Sequence, residues 1–288
     1  MPTAAAITPE SGFATDETGL AVYDFPAQGP VRGAFYLLHG YGEHVGRYRR
    51  LIDHLNQRGW HVGAHDHRGH GHSAGARGRL PKAPGLADDA IRRLRAFAQR
   101  RGGLPVLFGH SMGGVLAAEL VLQRAEPVAA LALSSPALRP SLTRFQQFQL
   151  RLMHAIAPRL VLSRPVDGVR LSHDAAQVRA YLEDPLVHGS VTAEMVQWMQ
   201  VSGAASVANA SGLAVPTLLI GGAGDKVADP RAWRAFAQSA PPRHLQAVVL
   251  DGALHELFNE SPQWREPALT ALDAWLASLT LDHACAAA

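Results

Sequence analysis

The sequence is poor in cysteine. Cys285 is the only one in 288 residues, so no disulfide can form within the chain, which fits a reducing compartment. Lysine is almost missing too, with Lys82 and Lys226 alone. The other basic residues are scattered arginines and the net charge is only +3, so the composition argues against a nucleic-acid binder. Arg92, Arg93, Arg95, Arg100 and Arg101 read as the solvated face of one helix. No apolar run approaches the length that spans a bilayer. No basic stretch followed by an apolar one opens the chain, so a secretory signal is not expected. These absences point to a cytoplasmic protein whose membrane contact is at most peripheral. No internal repeat is visible.

What is present is a large apolar fraction, 47% hydrophobic against 18% charged residues, enough for one α/β domain with an insertion. Residues 1–10 read as a loose tail, and 13–25 as a hairpin turning at 16–19. Short apolar runs at 33–38, 60–64, 105–108, 128–133, 216–220 and 246–250 suit strands buried on both faces of a sheet. Helical patterns lie between them at 48–57, 86–100, 112–123 and 231–238. The alternation predicts the α/β class: a mostly parallel central sheet with helices on both faces. From about 136 to 210 no convincing strand is seen and the rhythm is helical. We therefore expect a core over 1–136 and 211–288, interrupted by a helical cap over 137–210. Ligands in such sheets bind beyond the carboxyl ends of the strands.

The central motif is Gly109-His110-Ser111-Met112-Gly113-Gly114, set between an apolar strand and an Ala/Leu-rich helix. Gly-x-Ser-x-Gly in that setting is what a nucleophile elbow requires. The turn is tight, so the residues two positions away on either side of the serine must be minimal, which selects Gly109 and Gly113, and the helix behind it points its first amides at the site. By itself the motif is weak in a chain with 27 glycines; the flanking strand and helix give it weight. A serine nucleophile needs a base and an acid behind the base, in the chain order Ser, Asp, His. Asp225 follows the strand ending near Ile220, and His255 follows the strand ending at Leu250. Asp229 precedes Pro230 and is better read as a helix cap; Asp251 ends its own strand, and His283 lies in the small-residue tail. His39-Gly40-Tyr41-Gly42, after the first parallel strand, lets the backbone bend. The expected oxyanion hole is the backbone N–H of Tyr41 with that of Met112. The loop from His65 to His72, with four histidines and Asp66, raises the possibility of a metal. Its spacing fits no pair on a helix face, and loop packing is the better reading.

Five blocks resemble the monoacylglycerol lipase and lysophospholipase group of α/β hydrolases, a Hydrolase_4 or serine aminopeptidase S33-like set. They are His39 to His44 with Arg47-Tyr48; Asp66 to Ser73; Gly109 to Gly114; Ser134-Ser135-Pro136-Ala137; and Gly222 to Asp225 with Val227 and Pro230. The resemblance runs from about residue 33 to 279 and is weakest in the cap, about 138–212. It implies an α/β-hydrolase fold, a triad of Ser111, Asp225 and His255, oxyanion donors Tyr41 and Met112, no cofactor, no metal, and a cap over an acyl-chain tunnel. It also explains the histidine-rich loop as a family segment.

The expected function is therefore hydrolysis of a carboxylic ester with one acyl chain, a small-molecule substrate such as a monoacylglycerol or lysophospholipid, through an acyl-enzyme. The alternatives are a short-chain carboxylesterase, a peptidase on the same fold, or a ligand-binding protein on a hydrolase scaffold. A dehalogenase or epoxide hydrolase would place aspartate where Ser111 stands. Leu142, Phe145, Phe148, Leu152, Met153 and Ile156 recur at helical spacing, and Phe145, Phe148 and Leu152 are the candidates for lining the acyl groove. The sequence carries no signal of oligomeric state.

Overall fold

The computed structural model describes residues 13–82 and 85–280. The tail expected over 1–10, together with His283 and Cys285, lies outside them.

Ten strands and eight helices follow in chain order among these residues. The strands are β1 (Ala14–Thr15), β2 (Ala21–Phe25), β3 (Gly33–Leu38), β4 (Trp60–His65), β5 (Val106–His110), β6 (Ala130–Ser134), β7 (Leu162–Ser163), β8 (Ser190–Val191), β9 (Thr217–Gly222) and β10 (Leu245–Leu250). The helices are α1 (Arg49–Gln57), α2 (Leu86–Arg101), α3 (Met112–Leu122), α4 (Arg144–Ile156), α5 (Ala175–Glu183), α6 (Ala193–Ala208), α7 (Pro230–Ser239) and α8 (Pro262–Ser278).

Eight strands form one sheet in the order β1-β2-β4-β3-β5-β6-β9-β10. From β4 to β10 all neighbours are parallel, while β1 and β2 add antiparallel edges. Alternate side chains enter two separate cores. Tyr36, Leu38, Leu107, Leu131 and Leu219 pack under α2, α3 and α7. Phe35, Leu37, Phe108, Ala132 and Ile220 pack against α1 and α8 on the other face. Both faces are covered, which is why the strands read as unbroken apolar runs.

The connection after β3 leads through α1 to β4 on one side, and the chain then returns to place β5 on the other side of β3. The strand order thus reverses between β3 and β5, and the crevice above such a reversal is where open parallel sheets bind ligands. The loops after β3 and β5 carry His39-Gly40-Tyr41-Gly42 and Ser111. Between β6 and β9 the chain runs through α4, α5 and α6. The ribbon of β7 with β8 is a departure from the strandless reading of this stretch, and two-residue strands leave no periodicity to detect. Among the described residues no helix is long and apolar enough to cross a membrane.

Candidate active site

β5 delivers Ser111 in a strained turn. Its φ is +52° and ψ −116°, a region side-chain-bearing residues rarely occupy. The neighbours make the turn possible. A Cβ on Gly109 would stand 2.3 Å from the Gly113 carbonyl oxygen, and one on Gly113 would stand 2.2 Å from that of Leu38. Neither position accepts a side chain without moving backbone. α3 begins at the next residue, with Ser111 at its N-cap position, so the first amides of the helix are left without intrahelical partners.

β9 and β10 bring the other two groups to the same edge. His255 Nε2 lies 2.9 Å from Ser111 Oγ, and His255 Nδ1 lies 2.7 Å from Asp225 Oδ2. The other Asp225 oxygen accepts the amides of Val227 at 2.8 Å and Ala228 at 3.0 Å, which fixes the carboxylate in its loop. A Cβ on Gly222 would lie 2.4 Å from the carbonyl oxygens of Ala253 and Leu254, so glycine at the end of β9 lets the His255 loop pass over it. All three side chains are buried. Burial works against a charge on His255, but the Asp225 charge and hydrogen bond, with help from Glu256 and Glu43, outweigh it and hold the imidazole above its ordinary range. Asp229 instead caps α7, accepting the Arg231 amide at 3.0 Å and pairing with the Arg139 and Arg231 side chains.

Gly40 lies against Ser111; a Cβ there would be 3.2 Å from Ser111 Cβ. Among the described residues no acceptor takes the amide of Tyr41 or of Met112. Tyr41, Ser111 and His255 open on one cavity of about 410 Å³. Its lining includes the apolar side chains Leu142, Leu171, Val191, Val196 and Met199 and the polar side chains Glu43, Glu256 and Tyr181.

Phe145, Phe148 and Leu152 do not join them. They lie on α4 but are 67%, 62% and 49% exposed, and the cavity takes Leu142 and Gln146 from that region instead. The periodicity located the apolar stripe; α4 turns that stripe to solvent and rests its other side on α6.

The histidine-rich loop is a packed interior. His39, His65, His67 and His70 are fully buried, ring against ring, with His39 and His67 centroids 4.2 Å apart. Asp66 accepts the Tyr23 hydroxyl and the Val45 and His72 amides at 2.8–2.9 Å. Burial keeps these imidazoles neutral, pulling His67 down to about 4.

Three buried glutamates were not singled out from sequence. Glu43 accepts the Gly40 amide at 2.6 Å and the Tyr48 hydroxyl. Glu256 pairs with Arg47 at 2.6 Å. Glu260 accepts the amides of Leu254 at 2.9 Å and His173 at 2.8 Å, tying the His255 loop to the segment before α5. Burial, reinforced by the Glu256 charge, pushes Glu43 up to about 7. Glu43 lies within the block His39 to His44 that carries the family resemblance, without a role assigned to it there, and the sequence marks the other two only by their place just after His255.

The model of the Hydrolase_4 family, described as serine aminopeptidase, S33, matches residues 29–262. The chain belongs to that family. It is 29% identical over 257 residues to human monoglyceride lipase, covering 88% of this chain and 84% of that one. It also matches, at 29% identity over 244 residues, an uncharacterized abhydrolase domain-containing protein of Dictyostelium discoideum, of whose length it spans 26%. Among solved structures it resembles the monoacylglycerol lipase of Paleococcus ferrophilus, with a TM-score of 0.80 and 32% identity over 91% of this chain and 99% of that one. The sheet and its helices are those of an α/β hydrolase, and this Hydrolase_4 member is a hydrolase of the lipase type.

Proposed function

We propose that the protein is a serine hydrolase that cleaves the ester of a single-chain acylglycerol, with Ser111 as nucleophile, His255 as base, Asp225 as the acid behind it, and residues 137–210 as a cap over the cavity. The observation that carries this reading is the continuous Ser111–His255–Asp225 hydrogen-bond relay opening on a cavity lined by both apolar and polar side chains.

In the first step Ser111 Oγ bonds to the ester carbonyl carbon as its proton passes to His255 Nε2. Asp225 holds the imidazole so that Nδ1–H points at the carboxylate, and stabilises the cation that forms. The carbonyl oxygen becomes an oxyanion between the amides of Tyr41 and Met112. When the C–O bond breaks, His255 returns the proton to the departing alcohol. Water then repeats the sequence on the acyl-enzyme, releasing the fatty acid and Ser111. The carboxylates of Glu43 and Glu256 offer acceptors for glycerol hydroxyls, and the Leu142, Val196 and Met199 side chains are suited to an acyl chain. The names of the human and Paleococcus relatives favour the same substrate class.

The test is turnover of monoacylglycerol, lysophospholipid, triacylglycerol, p-nitrophenyl esters and an amino-acid anilide by wild type and Ser111→Ala. Monoacylglycerol should be preferred over triacylglycerol and the anilide, a fluorophosphonate should label Ser111 alone, and Ser111→Ala should lose about 10⁴-fold or more in kcat. Preference for the anilide would move the protein to peptide substrates. Labelling that survives Ser111→Ala would remove Ser111 as nucleophile.

A further inference from the structure

Two successive peptide units flank Gly40, and they present four polar groups. In the unit joining residues 39 and 40, the His39 carbonyl oxygen lies 3.1 Å from His67 Nε2 and the Gly40 N–H is held by Glu43 at 2.6 Å. In the unit joining residues 40 and 41, the Gly40 carbonyl oxygen lies 2.7 Å from His39 Nδ1. The fourth group, the Tyr41 N–H, has no acceptor among the described residues.

The tautomers follow from the backbone. The His67 amide can only donate, and it points at His39 Nε2 from 2.9 Å. Nε2 of His39 is therefore the bare nitrogen, and in the neutral ring Nδ1 carries the hydrogen and donates to Gly40. Burial, with the neighbouring imidazoles His67 and His70, keeps the ring neutral. In a trans peptide the C=O and N–H point in opposite directions. Fixing the Gly40 oxygen therefore fixes where the Tyr41 N–H points, and Gly40 itself lies against Ser111.

We propose that His39 is a positioning residue for the oxyanion hole: its Nδ1–H holds the Gly40 carbonyl and so aims the Tyr41 amide at the oxygen that turns negative above Ser111. Glu43 and His67 brace the adjoining peptide unit, so the loop cannot rotate about Gly40 to turn the amide away. This rests on Tyr41 being an oxyanion donor in the function proposed above.

The experiment compares His39→Leu, which removes the donor, with His39→Asn, whose amide nitrogen can stand where Nδ1 does. kcat and KM for a soluble ester are measured beside the affinity for a trifluoromethyl ketone, which forms an oxyanion on the serine. We expect His39→Leu to lower kcat about ten- to a hundredfold with KM nearly unchanged, to weaken the ketone by a similar factor, and His39→Asn to recover most of both. Glu43→Ala against Glu43→Gln repeats the contrast should His39→Leu not fold, since the glutamine oxygen still accepts from Gly40. Equal losses in the donor-keeping and donor-lacking variants, or a fall in kcat with ketone affinity intact, would overturn the proposal. A wild type that neither turns over esters nor binds the ketone would instead overturn the hydrolase reading on which it rests.

Discussion

The two aspartates near α7 are four residues apart and do different work. Asp225 faces His255 at 2.7 Å, whereas Asp229 spends its oxygens on the α7 cap and on two arginines. Asp225→Asn should cost kcat about 10⁴-fold by removing the partner that sets the His255 tautomer. Asp229→Asn should cost stability of about 1 kcal/mol, the order of a lost cap, with kcat little changed. Steady-state rates and a thermal melt on each variant separate the two. The pH dependence belongs to the same cluster. In the proposed mechanism His255 must be neutral to take the Ser111 proton, and Asp225, Glu256 and Glu43 hold it above the ordinary imidazole range against the effect of burial. A raised value means that kcat/KM rises with pH and reaches half its plateau above about 6.5. Glu256→Gln removes one stabilising negative charge and should move that midpoint to lower pH. A midpoint that stays put would mean Glu256 does not act on His255. Ser111, Asp225 and His255 could be picked out from sequence because each sits in a short motif at a strand end, and the structure brings the three together. Glu43 and Glu260 could not, because their role is to accept backbone amides from distant loops, and no spacing in the chain records which loop arrives.

At the level of elements, the parallel strands were legible to within two residues at each end, and the small differences have local causes. β5 extends through Gly109 and His110 because both pair with β6 at Leu133 and Ser134, although glycine and histidine in sequence look like the start of a turn. α8 was missed altogether. It holds Pro262 at its first position and Pro267 within, and prolines so placed suggest a loop; the buried Ala268, Leu272, Trp275 and Leu276 hold the helix to the sheet in spite of them. The contact of α3 with β3 is a tight constraint on how the elements meet. Gly113 sits where its missing side chain would lie 2.2 Å from the Leu38 oxygen. Gly113→Ala should therefore destabilise the fold by about 3 kcal/mol or more, since backbone on both sides must shift. Chemical denaturation reads this directly, and a variant within 1 kcal/mol of wild type would mean the elbow is looser than the packing indicates.

On the scale of the whole molecule, the helical stretch between β6 and β9 presents two different apolar surfaces. The outer one is the α4 stripe, with Phe145, Phe148, Leu152 and Ile156 exposed beside the exposed Arg144 and Arg151. A contiguous exposed apolar patch flanked by cations is suited to a lipid–water interface, and burying each phenylalanine there would contribute about 1.5–3 kcal/mol. Replacing Phe145 and Phe148 together by serine should lower turnover of monoacylglycerol carried in anionic vesicles about tenfold or more. A soluble short-chain ester should be hydrolysed as before, because neither ring lines the cavity. Equal losses on both substrates would place the two rings in the site after all.

The inner surface is the one that would read acyl length. Sequence periodicity found the outer stripe and could not tell it from an inner one, because a 3.6-residue repeat says that a helix has an apolar face without saying what that face meets. In the structure the cavity beside Ser111 has Leu142, Val196 and Met199 in its lining, from the turn before α4 and from α6. Each methylene seated against such side chains contributes up to about 0.8 kcal/mol, close to fourfold in kcat/KM. The rate constant should therefore climb along a series of p-nitrophenyl esters from acetyl upward and level off where the cavity is full. Met199→Trp fills part of that space and should bring the plateau to shorter chains while leaving the acetyl ester nearly unaffected, whereas Phe145→Ala should leave the whole profile in place. The measurement is kcat/KM at each length for the three proteins, below the concentration at which the esters aggregate. A flat wild-type profile would mean a short-chain esterase whose cavity does not hold the chain. A profile that moves with Phe145 and not with Met199 would put the acyl path along the outer face of α4.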